Sequence, residues 1–137
     1  MPKKEQIIHK IGKIRKYLKL LAQFQGLDLE ILENDLNTKA SMERFLYLAL
    51  DSLISLLEMF ISFKNYRKAG NYAENIEILL EEKKITLGQS DFLHKVVGLR
   101  NILSHDYERL DMKIIKGVVD KELVEVEEFI KYLEEKI

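Results

Sequence analysis

The chain has 137 residues, with 22 Lys and Arg against 23 Asp and Glu and a formal net charge of -1. That balance excludes a global field that draws the chain to nucleic acid, so any RNA contact needs a local patch. Hydrophobic residues make up 47%, which excludes wholesale disorder, and the absence of cysteine excludes disulfides and thiolate zinc sites. At this length a single domain over residues 1–137 is expected. No apolar run follows Met1-Pro2-Lys3-Lys4-Glu5, so no leader is expected and a cytoplasmic location follows.

In chain order, Ile7, Ile11, Ile14, Leu18, Leu21 and Gln25 mark a stripe of helical period that stops near Gly26. Asp28 is placed to cap the next helix, with Leu27 and Leu32 as a hydrophobic staple. That helix is predicted from about Leu29 through Phe63, with an irregularity near Asn37-Thr38. Its stretch from Phe45 to Phe63 comes nearest to a membrane span. There Asp51, Ser55, Glu58 and Ser62 form one narrow polar stripe, which points to a buried helix without membrane contact. The apolar surface around the stripe exceeds what one core uses, and a C2 homodimer is the expected remedy.

Residues 64–70 read as a polar, basic loop containing Lys64, Arg67 and Lys68. A short helix carried by Tyr72, Ile76, Leu79 and Leu80 follows and ends around Lys83-Lys84. Thr86 to Ser90 starts the next helix, whose core face is predicted as Phe92, Val96, Leu99 and Leu103. Asp111 can cap the last helix, with the stripe Ile115, Val118, Val119, Leu123, Val126, Ile130, Leu133 and Ile137. The fold class is therefore all-α, a four- to five-helix up-and-down bundle with short connections. Each buried Leu, Ile or Phe contributes roughly 1.5–3 kcal/mol before chain entropy is subtracted.

The stretch from Leu99 to Tyr107 carries the chemistry. It places Arg100, Asn101, Ser104, His105 and Tyr107 close together in a chain with three histidines. Arginine keeps its charge and forks onto phosphate oxygens, while histidine as a type exchanges protons near neutrality. On a helical wheel, with the predicted core face as reference, these residues occupy a polar arc facing away from the core. Arg100 and His105 lie about 140° apart, too far to share one small ligand on an unbroken helix. Either the helix unwinds near His105 or twofold symmetry brings Arg100 of one copy towards His105 of another. The bland alternative is a set of solvated residues at a helix end, with His105 near the C-terminal dipole.

Arg100, His105 and Tyr107 form the pattern Arg-x4-His-x-Tyr, and the stretch reads RNILSHDY. In this the chain resembles HEPN domains, most closely the HepT-like branch, over about residues 5–137. The resemblance implies a helical homodimer whose motifs line a shared cleft. It also implies an endoribonuclease that needs neither metal nor cofactor, the toxin of a type VII-like toxin–antitoxin pair. Arg100 would hold the scissile phosphate and His105 would act as general base or acid, with Asn101 and Ser104 supporting them.

The implied partners are RNA and an MntA-like nucleotidyltransferase antitoxin, and Tyr107 is the implied acceptor of AMP from that partner. Bulk and negative charge at Tyr107 would then neutralise Arg100 and block RNA. Lys64, Arg67 and Lys68 read first as solvated loop charges and, under the resemblance, as candidate contacts to RNA or partner. His94 shares the wheel arc of Asn101 and His105 and is a candidate to line the cleft. Tyr17, Tyr47 and Tyr132 read as packing residues, and Glu81-Glu82 and Glu134-Glu135 as solvated helix ends. The alternative is a non-catalytic helical subunit that binds a nucleotidyltransferase and presents its substrate.

Overall fold

A computed structural model describes residues 2–105 and 110–137. They form α1 (Lys4–Leu21), α2 (Leu29–Asn34), α3 (Leu36–Phe63), α4 (Tyr72–Glu81), α5 (Leu87–His105), α6 (Met112–Gly117) and α7 (Leu123–Glu134), with no strand among the described residues. The all-α bundle expected from the periodicity is what forms. The long helices α1, α3, α5 and the α6–α7 pair are its pillars, and α2 and α4 are shorter additions.

The predicted break in the long helix falls at Asp35, two residues before Asn37. Its carboxylate accepts from the backbone N–H groups of Asn37 and Thr38, each at 3.2 Å, and so starts α3. These bonds hold the Asp35 carboxyl below the usual range. Asp28 has the extended backbone of a cap before α2, but its side chain makes no capping bond. Asp111 caps α6 as Asp35 caps α3, accepting from Lys113 N–H at 2.9 Å.

α3 is long and apolar enough to cross a membrane. Much of its apolar surface is covered from within the chain, since α1, α2, α4 and α5 all pack against it. Leu46, Leu53, Leu56, Leu57 and Phe60 are buried as a result. Phe45, Tyr47, Leu48, Met59 and Phe63 of α3 stay half-buried.

Beyond α3, the chain reverses through Asn65 in the left-handed region (φ 62°), while Tyr66 N–H donates to Ile61 O at 3.0 Å. α4 ends in the same way at Lys83 (φ 57°), with Lys84 N–H bonded to Leu79 O at 2.9 Å. The last helix is not continuous: Val118–Glu122 forms a π-helical turn between α6 and α7. The cause is an intrusion by the chain after α1. Gln25 Nε2 donates to Val119 O at 3.0 Å, and Gly26 N–H donates to Asp120 at 3.1 Å. Arg15 then ties α1 to α7 through Glu127 and Glu134, so Glu134 is an ion-pair partner and not merely a solvated end.

Candidate active site

α5 is rotated about its axis relative to the sequence expectation. Its buried residues are Ser90, Leu93, Val96, Val97, Arg100 and Leu103, an arc displaced by about 80° from the predicted one. Phe92 and Leu99, expected at the core, are only half-buried and line a groove shared with Ile114 and Val118. The reason is that α5 packs on both α3 and α4, so two neighbours decide its buried side. Arg100 therefore sits in the middle of the inner face. The expectation that the whole motif faces away from the core does not hold for it.

Arg100 is 9% exposed. Its Nε donates to Asp51 Oδ1 at 3.0 Å, Nη1 to Asn101 Oδ1 at 3.2 Å, and Nη2 to Tyr47 Oη at 3.5 Å. The guanidinium lies 5.5 Å from the centre of the Tyr47 ring and 5.0 Å from that of Tyr72. Burial opposes its charge, but the bond to Asp51 and the Coulombic pull of neighbouring groups outweigh this and raise its pKa. The polar stripe on α3 is thus the face turned to Arg100. Glu58 on that stripe is pushed up by desolvation and then by Asp51.

The two terminal nitrogens carry four N–H groups, and among the described residues their hydrogen-bond partners are neutral oxygens. A phosphate can displace such acceptors while Asp51 keeps its grip on Nε.

The other motif residues lie elsewhere on the helix. α5 is unbroken through His105, so no unwinding before that residue joins it to Arg100. Asn101 and His105 are exposed, as is His94, and their spacing places the three on one strip of α5. Ser104 is half-buried. Asn101 is the link, since its amide oxygen touches Arg100 while the residue belongs to the exposed strip. Tyr107 falls outside the described residues.

Of the loop cations, Arg67 is bound within its own chain. It donates to Glu74 at 2.5 Å and to both oxygens of Glu81 at 2.8 and 3.1 Å. These bonds clamp the loop onto α4, and Glu81 is an ion-pair partner and not a free solvated end. Both carboxyls are held below their usual range, first by these bonds. Lys64 sits 5.7 Å from the ring centres of Phe60 and Phe63, and Lys68 is exposed.

Asp51, Tyr47 and Tyr72 are the residues that sequence reasoning missed. Asp51 was visible as a charge on an apolar helix. Tyr47 and Tyr72 had been taken for packing, and nothing in their local spacing marks them as neighbours of a guanidinium. Tyr132 does pack, against Phe129, and its hydroxyl donates to Lys84 O. Among the described residues, no three His, Asp or Glu side chains are grouped as a metal site requires.

Comparison with known proteins gives this geometry its relatives. Residues 9–133 match the family described as Ribonuclease HepT-like. The chain is 30% identical over 124 residues to the mRNA nuclease HepT of Shewanella oneidensis, covering 90% of this chain and 92% of that protein. Among solved structures it is similar to the tri-AMPylated Shewanella oneidensis HEPN toxin in complex with MNT antitoxin. That likeness has a TM-score of 0.84, with 29% identity, 93% of this chain and 96% of the other. A toxin–antitoxin structure with AMP-PNP is similar at TM-score 0.83 and 28% identity, covering 92% and 95%. A buried, charge-paired arginine on a helix that also carries His105, in a chain aligned almost end to end with these proteins, leads to one conclusion: the chain belongs to the HepT-like ribonuclease family.

Proposed function

We propose that this chain is the ribonuclease toxin of a toxin–antitoxin pair, acting as one HEPN domain over residues 1–137 and cutting cytoplasmic RNA without a metal ion. The observation that carries this is Arg100 itself. It is a cation paired inside the protein with Asp51, and among the described residues its outer N–H groups rest on neutral acceptors that a phosphate can replace. Arg100 receives the scissile phosphate and stabilises charge that develops on its oxygens.

In this metal-independent reading the nucleophile is the neighbouring ribose 2′-hydroxyl. A histidine removes its proton as the new O–P bond forms, and the 5′-oxygen leaves and takes a proton. The products are a 2′,3′-cyclic phosphate and a 5′-hydroxyl end. His105 is the residue for proton transfer, and Asn101 and Ser104 orient phosphate and guanidinium.

In one copy Arg100 faces inward and His105 outward. We therefore assign the working site to a homodimer, in which twofold symmetry brings Arg100 of one copy towards His105 of the other, so that guanidinium and imidazole act on one phosphate. His94, on the same strip of α5 as His105, would line the cleft between the copies. Similar solved structures hold a toxin with a nucleotidyltransferase-type antitoxin, and we assign this chain a partner of that kind, with Tyr107 as its AMP acceptor.

The test is cleavage of single-stranded RNA in the presence of EDTA, with product ends analysed. Cleavage to cyclic-phosphate ends is expected. Arg100→Ala and His105→Ala should each abolish it while circular dichroism stays helical. Activity retained in His105→Ala would remove the catalytic assignment, and failure to cleave with intact binding of the nucleotidyltransferase would favour the non-catalytic subunit. Intact mass after incubation with the partner and ATP, for the native chain and Tyr107→Phe, tests the modification.

A further inference from the structure

We infer that the cavity between the C-terminal half of α3, the 64–71 loop and the start of α4 is a nucleobase subsite, seating the base beside the phosphate that Arg100 receives. The inference rests on the ribonuclease reading and deepens it by naming how the substrate is held.

The cavity has a volume of about 610 Å³, and its walls include Glu58, Tyr66, Lys68, Asn71, Tyr72 and Asn75. That volume lies in the range of small-ligand sites. Tyr72 belongs to both places, since it lines the cavity and its ring centre is 5.0 Å from the Arg100 guanidinium. A strand whose phosphate meets Arg100 therefore has the cavity mouth as its next neighbour.

The lining chemistry suits a flat, neutral heterocycle. Among the described residues Lys68 is the one cation on the wall and Glu58 opposes it, so a bare phosphate finds little net attraction there. Tyr66 and Tyr72, with Ile61 and Ala69, supply aromatic and apolar surface. The two amides on the wall, exposed Asn71 and buried Asn75, are already sorted into a donor and an acceptor. Asn71 Oδ1 accepts from Glu74 N–H at 2.9 Å as the cap of α4, which leaves its NH2 to donate. Asn75 is 3% exposed and its Nδ2 donates to Asn71 O and Tyr72 O, each at 3.4 Å, which leaves its carbonyl oxygen to accept. Every unpaired base offers one complementary donor and acceptor on its Watson–Crick edge.

The wall is also held in place before any ligand arrives. Arg67 clamps the loop to Glu74 and Glu81, and Gly70 N–H donates to Glu74 Oε2 at 3.2 Å. A fixed wall lowers the ordering cost of binding.

The experiment measures binding of the full-length protein to a 2′-O-methylated RNA octamer, which lacks the attacking hydroxyl and is not cut. A single abasic nucleotide is walked along it. One abasic position should weaken binding about tenfold, the effect of losing one stacked base, while the others change little. Asn71→Asp keeps the capping oxygen and loses the N–H donor. It and Lys68→Ala should each weaken the intact octamer and shrink the abasic penalty.

Equal affinity at every abasic position overturns the subsite and leaves metal-free cleavage standing separately. Position-dependent binding without any cleavage keeps the subsite and overturns the ribonuclease reading. Binding to no RNA overturns both. A 5′-mononucleotide that binds in a manner sensitive to Asn71→Asp, while all abasic octamers bind alike, assigns the cavity to a free nucleotide and overturns the RNA assignment.

Discussion

Arg100 Nε donates to Asp51 Oδ1 across 3.0 Å, joining the middle of α5 to the middle of α3. The arginine side chain is 11% exposed and the aspartate side chain 36%, so the pair spans the border between core and solvent. The guanidinium would be costly there without its counter-charge. Asp51→Asn keeps the shape and removes that charge. RNA cleavage should fall by about tenfold or more as the arginine loses its aim. Stability should fall by only about 1–2 kcal/mol, because solvent reaches the carboxylate. Urea melts and single-turnover cleavage check this. A variant with native stability and rate would show that the ion pair does not position Arg100.

Arg100 also lies within cation–π range of two rings, and the effect of Tyr72 can be separated from that of the ion pair. Tyr72 is 37% exposed, so its loss leaves little buried void. Tyr72→Leu should reduce cleavage about fivefold while changing stability by less than about 1 kcal/mol, the scale of a partly exposed cation–π contact. Tyr72→Phe keeps the ring and should lose less. Equal rates for the Leu and Phe variants would discard the ring as a contributor.

Glu43 offers a pH signature. Its Oε1 is buried with no hydrogen-bond partner among the described residues, and burial raises its pKa, opposed by Lys39. The folded protein therefore holds this proton more tightly than the unfolded chain does. Stability is lost as pH rises from the ordinary carboxylate range through the raised folded pKa, and the loss is complete above it. Glu58 is raised as well, so it works in the same direction. Glu43→Gln should melt higher than the native chain near pH 7, by less than about 1 kcal/mol, with the advantage vanishing near pH 4. Thermal melts across that range test the sign, and an advantage that grows on acidification would contradict it.

Lys83 is a lysine in the left-handed region, with φ of 57°. Its Cβ is strained there, whereas a glycine is not. Lys83→Gly should stabilise the fold by about 0.5–1 kcal/mol, the left-handed strain relieved less the extra entropy glycine brings to the unfolded chain. Asn65, at φ of 62°, should gain less from the same change because asparagine tolerates this region. A lower melting temperature for Lys83→Gly would mean that its side chain makes a contact worth more than the strain.

Much of this molecule can be read locally. The stripe from Ile7 to Leu21 and the stripe from Ile115 to Leu133 are buried almost as written, because their apolar residues fall on one face and show burial as period. Glycine at position 26 does stop the first helical segment, at φ of 77°. α5 is different. Leu99 and Phe92 looked like its core while Leu93 and Val97 were passed over, since a helix gripped by two neighbours has apolar residues on two faces and no unique stripe. Arg100 was misplaced for the same reason, and its partner Asp51 lies 49 positions away in the chain.

The amino-acid order alone determined the helical class and most helix ends. It also determined the presence of a guanidinium, an imidazole and a phenol within eight positions, since these depend on short-range period, caps and residue type. Only tertiary packing decided that Arg100 turns inward while His105 turns outward. Which face of α5 is buried depends on how α3 and α4 wedge against it, and that is a balance among distant side chains which no local pattern records.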